Sequence, residues 1–242
     1  QRPQCPERSL WSFALCVLTA RTVRPSGLRH HGAMPEHAAP SPTALPPVFT
    51  VGHSTRPYAE FVALLQQHGV QCVVDVRKLA GSRRQPQYNA DTLAQALAAD
   101  GIGYVHMAAL GGRRGRTLAP GALSPNGYWT NDSFRRYADY ALSDAFAAGL
   151  KALHERSRTQ RCALMCAEAV WWRCHRRIIA DYLLLQGRTV CHILAANRTK
   201  PAHTTPGAVV QAPQPGAAPP QAAAQARLVY PAEAAPAPAA PD

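Results

Sequence analysis

The sequence of 242 residues lacks any apolar run of the roughly 18 residues that a membrane-spanning helix needs, so no membrane span is expected. It is also poor in acidic residues, with 14 Asp and Glu against 26 Lys and Arg, which gives a net charge of +12. That imbalance favours an anionic partner. The length permits one domain with tails or at most two small domains.

The seven cysteines are odd in number and lack the regular spacing of a disulfide framework. The central part of the chain holds five of them, mostly inside apolar runs: Cys72, Cys162, Cys166, Cys174 and Cys191. This usage is typical of reduced thiols in a cytoplasmic protein. A secretory signal, formed by Arg2, Arg8 and the apolar run 10–20, is the alternative, but that run is short and Arg21 follows it directly.

The two ends of the chain differ in composition from its centre. Residues 1–47 are interpreted as a leader without structure, in which Met34 is the expected true start and 35–47 are rich in Pro and Ala. Residues 197–242 consist mainly of Ala, Pro and Gln, a composition that predicts disorder. The folded domain is therefore predicted at 48–196, where 18 Lys and Arg face 10 Asp and Glu.

Within 48–196, short apolar runs alternate with amphipathic segments. The runs predict strands at 47–52, 70–77, 102–110, 161–168 and 189–194. The amphipathic segments predict helices at 57–69, 91–101, 132–157 (one helix or two) and 174–187. Near-continuous apolar strands separated by helices indicate a single α/β domain, with an open, mostly parallel sheet of about five strands and helices on both faces, a Rossmann-like three-layer arrangement.

Ligands of open parallel sheets bind outside the carboxyl ends of the strands, and the first four predicted strands end in polar or glycine residues. The candidate catalytic residues at these ends are His53, Asp75, Cys166, Glu168, Cys174 and His175. The candidate substrate- or anion-binding residues are Ser54, Arg77, Gly111, Gly112, Arg173 and Arg176. We expect these residues to meet in one site.

Structural roles compete with some of these assignments. His53 follows a glycine and could cap the next helix, and Asp75 could form a buried structural pair with Arg77. Cys174 opens a helix, whose N-terminus favours anions and lowers the pKa of a nearby thiol. No metal site is expected, because seven residues separate Cys166 from Cys174 and no second short-spaced pair is present.

Six short motifs in a fixed order resemble a known family. They are "GHS" (52–54), "DVR" (75–77), "SRR" (82–84), "LGG" (110–112), "CAE" (166–168) and "CHR" (174–176). Together they resemble the bacterial domain-of-unknown-function family 488 over about 49–194, which implies a common fold and motif set and names no reaction. A fainter similarity is to rhodanese-type sulfurtransferases, although the loop between Cys166 and Arg173 lacks the usual glycine.

Three functions are consistent with these residues. The first is an enzyme acting on a small anionic or nucleotide-like substrate, with a thiol or sulfur-transfer enzyme as a variant. The second is a nucleic-acid-binding or -processing protein, suggested by the basic clusters at 83–84, 113–116 and 135–136. The third is a ligand-sensing module without turnover. A small anionic ligand is the expected partner, and the motifs identify no cofactor.

Overall fold

The computed structural model describes residues 45–119, 121–211 and 226–232. The predictions for residues 1–44, including the start at Met34, lie outside the described residues. So do those for 212–225 and 233–242.

A six-stranded sheet forms the centre of the domain, in the order β3-β2-β4-β1-β5-β6. Its strands are β1 (Val48–Gly52), β2 (Cys72–Asp75), β3 (Gly103–His106), β4 (Cys162–Cys166), β5 (Val190–Ala195) and β6 (Arg198–Pro201). The first five are parallel to one another, and β6 runs antiparallel to β5. The predicted α/β class and mostly parallel sheet are confirmed. The sixth strand follows a tight turn at Asn197, whose φ of 57° is one that Asn tolerates.

Helices cover both faces of the sheet. On one face, α1 (Tyr58–Gln67) and α2 (Ala90–Ala99) pack against Phe49, Val51 and Val73. On the other face lie α3 (Asp132–Tyr140), α4 (Asp144–Thr159) and α5 (Arg176–Leu185). The segment 132–157 forms two helices because the Asn131 and Ser143 side chains each cap a new N-terminus. Within the described ranges, no helix combines the length and the apolar content that crossing a membrane requires.

The Ala/Pro-rich end of the chain differs from its predicted lack of structure. Besides β6, the described part contains β7 (Val209–Gln211), which pairs with β8 (Arg227–Val229). The buried Tyr230 donates a hydrogen bond to Asp181 Oδ2 on α5 (2.9 Å). Composition averaged over the whole segment hides the short apolar run at 228–230, which is sufficient to anchor the chain to the domain.

The parallel register brings the ends of three strands to the same edge. Gly52 at the end of β1 lies beside Cys166 at the end of β4, and Asp75 at the end of β2 lies beside Met165. Because successive strand residues point to opposite faces, residues at this shared edge can belong to either face.

Candidate functional site

The predicted site residues lie at this carboxyl edge, but they form two groups on opposite faces of the sheet. Cys166 and Cys174 pack in the apolar cluster on the α3–α5 side. Asp75 accepts a hydrogen bond from Tyr104 (2.7 Å), which packs against the cluster on the α1–α2 side. The two groups are connected through the main chain of Val76, which lies between Asp75 and Arg77. Its carbonyl oxygen is 2.8 Å from His175 Nε2.

The first group, which we call the aspartate–arginine group, consists of Asp75, Arg77, His53, Tyr88 and Tyr104. Arg77 Nε lies 2.9 and 3.0 Å from the two Asp75 carboxylate oxygens, and Arg77 Nη2 also donates to Asp75 (2.5 Å). The same Nη2 donates to the Tyr88 carbonyl (2.7 Å). Asp75 is fully buried, so its charge is balanced inside the protein. These contacts match the alternative in which Asp75 and Arg77 form a buried structural pair. They also leave few nitrogen donors of Arg77 available to a substrate.

His53 is held as a neutral ring in this group. Its Nδ1 donates to the Ser54 carbonyl (2.9 Å), which leaves the Nε2 lone pair facing Arg77 Nη1 at 3.5 Å. The ring stacks on Tyr88 with centroids 4.0 Å apart. Burial lowers the pKa of His53 to about 4, and the positive charge of Arg77 adds to this effect.

This lowered pKa predicts that stability is lost as the pH falls from 6.5. Below pH 6.5 the unfolded chain protonates His53 while the folded protein does not, so the free energy of unfolding should fall by about 1.4 kcal/mol per pH unit down to pH 4. Burial also lowers the pKa of His192, to about 3, which adds to the slope. Urea unfolding between pH 5 and 6.5 avoids most carboxylate titration. In His53→Asn the slope of the unfolding free energy against pH should decrease by the contribution of one proton. Equal slopes for the parent and His53→Asn would contradict the prediction.

The second group, which we call the thiol group, consists of Cys166, Cys174, His175 and Arg176. Arg176 is only 1% exposed, and its Nε donates to Cys174 Sγ (3.2 Å). Its Nη2 donates to the Glu168 carbonyl (2.6 Å). His175 Nδ1 lies 3.6 Å from Cys174 Sγ. A buried guanidinium and an imidazole therefore both face one sulfur.

The orientation of His175 is fixed from two sides. A carbonyl can only accept a hydrogen bond, so the ring nitrogen that contacts Val76 O must be the protonated Nε2. Nδ1 is then free to exchange a proton with Cys174. A Cβ on Gly112 would lie 2.7 Å from Nδ1, so Gly112 is required where the chain passes the ring. The sequence predicts that Gly112 binds the substrate or anion, and the structure places its main chain against the His175 ring.

The two thiols of this group are differentiated by their surroundings. Burial by itself raises the pKa of Cys174, but the hydrogen bond from Cys166 and the charges of Arg176 and His175 together hold that pKa well below its usual value. The hydrogen bond to Cys174 and burial raise the pKa of Cys166. Of the two thiols, Cys174 is therefore the one that ionises more readily.

A second thiol pair lies at the opposite edge of the sheet. Cys72 and Cys162 are register partners on β2 and β4, and both are buried. A hydrogen bond from Cys162 lowers the pKa of Cys72 to about 7. These two cysteines, with Cys166 and Cys174, are free as expected.

Three side chains of the thiol group could act as metal ligands, because ligand atoms of Cys166, Cys174 and His175 lie within 4.8 Å of one another. A structural zinc site takes four protein ligands and a catalytic one takes three, so the count of three argues only against a structural site. In addition, the Arg176 guanidinium contacts the Cys174 sulfur that a metal cation would share. This charge arrangement favours a thiolate stabilised by Arg176 over one stabilised by a metal.

The remaining predicted residues lie at the margin of the two groups. Glu168 and Arg173 are exposed, and it is the main-chain carbonyl of Glu168 that contacts Arg176. Ser54 is half-buried with a φ of 49°, and its N–H donates to the Ala167 carbonyl (3.0 Å). Gly111 packs against the Lys78 main chain, which a Cβ would approach to 2.7 Å. These main-chain contacts hold Ser54 and Gly111 at this edge, and their predicted part in binding a substrate or anion stays a prediction.

Sequence reasoning missed two side chains that support the aspartate–arginine group. The Tyr88 ring stacks on His53, and the Tyr104 hydroxyl donates a hydrogen bond to Asp75. Thr50 Oγ1 and His192 Nδ1 are 2.8 Å apart, and the His192 ring stacks on Trp171 at 4.2 Å. Strand alternation was the available signal for Tyr104, because it is the register partner of Val73, which points to the same face as Asp75.

One of the comparisons with known proteins agrees with the family resemblance found in the sequence. The family model described as "Domain of unknown function DUF488" matches residues 57–183. No curated protein and no solved structure gave a match. The match spans more than half of the chain and includes α1 through most of α5, with both halves of the thiol group. The chain therefore belongs to the DUF488 family.

Proposed function

We propose that the protein is an enzyme that uses the Cys174 thiolate as its nucleophile on a small anionic substrate at the carboxyl edge of the sheet. The observation that carries the proposal is the buried Arg176, whose Nε lies 3.2 Å from Cys174 Sγ. A buried guanidinium that donates a hydrogen bond to a thiol stabilises the sulfur as an anion, which is the form that acts as a nucleophile. Structural packing alone would not require this pairing.

His175 supplies the acid–base function in this proposal. Its Nδ1 lies 3.6 Å from the Cys174 sulfur, and the bond from Nε2 to the Val76 carbonyl keeps the ring in place. Nδ1 can therefore accept the thiol proton and return it to a leaving group. His175 is half-buried, so it also connects the buried sulfurs with solvent.

An anionic substrate follows from the charges near Cys174. Arg173 is exposed and directly precedes Cys174, and α5 directs its positive N-terminal end toward the thiol. These groups take over the anion-binding role predicted for Arg77 and Arg176, since the side chains of both are engaged inside the protein. Free thiols also suit a reducing compartment, so we place the protein in the cytoplasm.

Nucleic-acid binding is less well supported, because arginines of two of the basic clusters are already engaged within the protein. Arg135 and Arg136 both pair with Asp132. Arg114 donates to the carbonyls of Gly111 and Ala108 (2.7 and 2.6 Å), so it is part of the loop structure. These contacts leave fewer free cations for phosphates than the sequence suggested.

Alkylation of the thiols, located by peptide mass spectrometry, tests the proposal. Cys174 should react with iodoacetamide at a rate that is nearly constant from pH 6 to 8, because its lowered pKa keeps it ionised. An ordinary thiol with a pKa near 8.5 is only about 3% ionised at pH 7, and its rate rises about tenfold per pH unit below that pKa. The ratio of iodoacetate to iodoacetamide rates should also be several-fold higher than the ratio for glutathione.

Two variants serve as controls for this measurement. Cys174→Ser should remove the fast reaction, and Cys162→Ser should leave it unchanged because Cys162 lies at the other edge of the sheet. A Cys174 rate that rises tenfold per pH unit would overturn the thiolate assignment. An iodoacetate ratio equal to that of glutathione would overturn the anionic substrate.

A further inference from the structure

We propose that Cys166 is a second catalytic thiol, which resolves a mixed disulfide formed on Cys174, so that the substrate class is small anionic disulfides. This inference rests on the proposed function, because Cys174 must first act as the nucleophile. It goes further in assigning the reaction: the protein reduces a disulfide bond at the expense of its own Cys166–Cys174 thiol pair.

The geometry provides two sulfurs in reach of each other and of one base. The sulfurs of Cys166 and Cys174 and a ring nitrogen of His175 lie within 4.8 Å of one another, and both cysteines are buried. Both cysteines are free, so the pair is present in its reduced form. Thiol–disulfide exchange within a protein requires two sulfurs in reach of each other, one of them as a thiolate, and a nearby imidazole can accept the proton of the other.

The main chains of the two cysteines are held in different ways. Cys166 ends β4, and its carbonyl accepts a hydrogen bond from His53 N (2.9 Å), so its main chain is fixed within the sheet. Cys174 lies outside the sheet, between the short helical turn Trp171–Arg173 and α5. Closing a disulfide therefore needs a small movement of Cys174 toward a fixed partner.

The reaction balances in two exchange steps. First, the Cys174 thiolate attacks one sulfur of the substrate RSSR, which forms a Cys174–S–S–R bond, breaks the substrate S–S bond and releases RS⁻. Second, Cys166 transfers its proton to His175 Nδ1 and attacks the Cys174 sulfur, which closes the Cys166–Cys174 disulfide and expels the second RS⁻. His175 then gives its proton to that thiolate. The substrate gains two electrons, the dithiol loses two, and an external thiol reductant returns the protein to its starting state.

The probe for this reaction is dithiobis-nitrobenzoate, an anionic aromatic disulfide whose released thiolate is coloured. In a Cys162→Ser background, the fast phase should release two thiolates per protein and leave a Cys166–Cys174 disulfide. Trypsin cleaves after Arg173, so this disulfide joins two separate peptides and is identified directly by mass spectrometry. Adding Cys166→Ser should halve the yield to one thiolate and leave the nitrobenzoate adduct on Cys174.

The outcomes separate this inference from the proposed function. If the protein with Cys166 intact releases one thiolate and retains the adduct on Cys174, Cys174 is a nucleophile and Cys166 does not resolve it. If Cys174 carries no adduct and no fast release occurs, the proposed function itself is wrong. Should Cys166→Ser fold poorly by circular dichroism, the peptide map of the Cys162→Ser protein decides: a Cys166–Cys174 link supports the inference, and its absence after reaction overturns it.

Discussion

Asp75→Asn is expected to lower the free energy of unfolding by about 3–5 kcal/mol, because it leaves the Arg77 guanidinium buried without its counter-charge. Asp75 is fully buried and Arg77 is 6% exposed, so water cannot compensate for the missing charge. Asn also accepts fewer hydrogen bonds than the carboxylate, which receives three groups: the Arg77 main-chain N–H, the Arg77 side chain and the Tyr104 hydroxyl. Urea unfolding at pH 7 measures the loss.

A surface pair offers the matched control for Asp75→Asn. Asp132 pairs with Arg135 and Arg136 on α3, where all three side chains are exposed, so Asp132→Asn should cost no more than about 1 kcal/mol. The double variant Asp75→Asn/Arg77→Met removes both charges and should be less destabilised than the sum of the two single variants. Similar losses for Asp75→Asn and Asp132→Asn would show that the buried charge carries no special energy.

Asp75→Asn also tests whether the aspartate–arginine group and the thiol group are independent. The side chains of Asp75 and Cys174 lie on opposite faces of the sheet. Folded Asp75→Asn protein should therefore keep the alkylation rate of Cys174 within about twofold of the parent, because sites without shared partners act almost additively. A large loss of Cys174 reactivity in folded protein would instead unite the groups in one site, as the sequence suggested.

The sheet and its helices were predictable because each buried strand is a short, nearly continuous apolar run. The runs at 47–52, 70–77 and 161–168 contain β1, β2 and β4, and their polar exits do meet at one edge. Such runs carry their own signal, since a strand covered on both faces must be apolar at every position. The order of apolar runs and amphipathic segments was therefore sufficient to predict a sheet covered by helices on both faces.

The division of the site into two groups was not predictable in the same way. Strand alternation places Asp75 and Val76 on opposite faces, but the strand order is needed to show which residues of β4 share each face. Leu164 lies beside Val74, which puts Cys166 on the face away from Asp75. The hydrogen bond from His175 to the Val76 carbonyl joins residues 99 positions apart. Because its acceptor is a main-chain oxygen, which every residue has, the sequence gives no sign of it.

Arg176→Met should raise the pKa of Cys174 far enough toward the ordinary thiol value of about 8.5 that its alkylation at pH 6 slows by about tenfold or more. The side chain of Met fills much of the same buried space but lacks the charge and the Nε donor that lies 3.2 Å from the sulfur. The measurement is the midpoint of the iodoacetamide rate against pH. At pH 9 the rate should return close to the parent value, because the thiol then ionises without help, and a variant that had merely misfolded locally would show no such recovery.

Two companion variants isolate the role of the Arg176 charge. Arg176→Lys keeps a positive charge but not the guanidinium geometry, so its midpoint should fall between those of the parent and Arg176→Met. Arg177→Met removes the next charge on α5, whose guanidinium instead bonds Thr205 Oγ1 (2.9 Å) and lies 4.9 Å from the Trp129 ring centre. Its midpoint should stay at the parent value. Equal upward shifts in Arg176→Met and Arg177→Met would assign the lowered pKa to the general charge of the α5 N-terminus and remove the specific contact on which the nucleophile assignment depends.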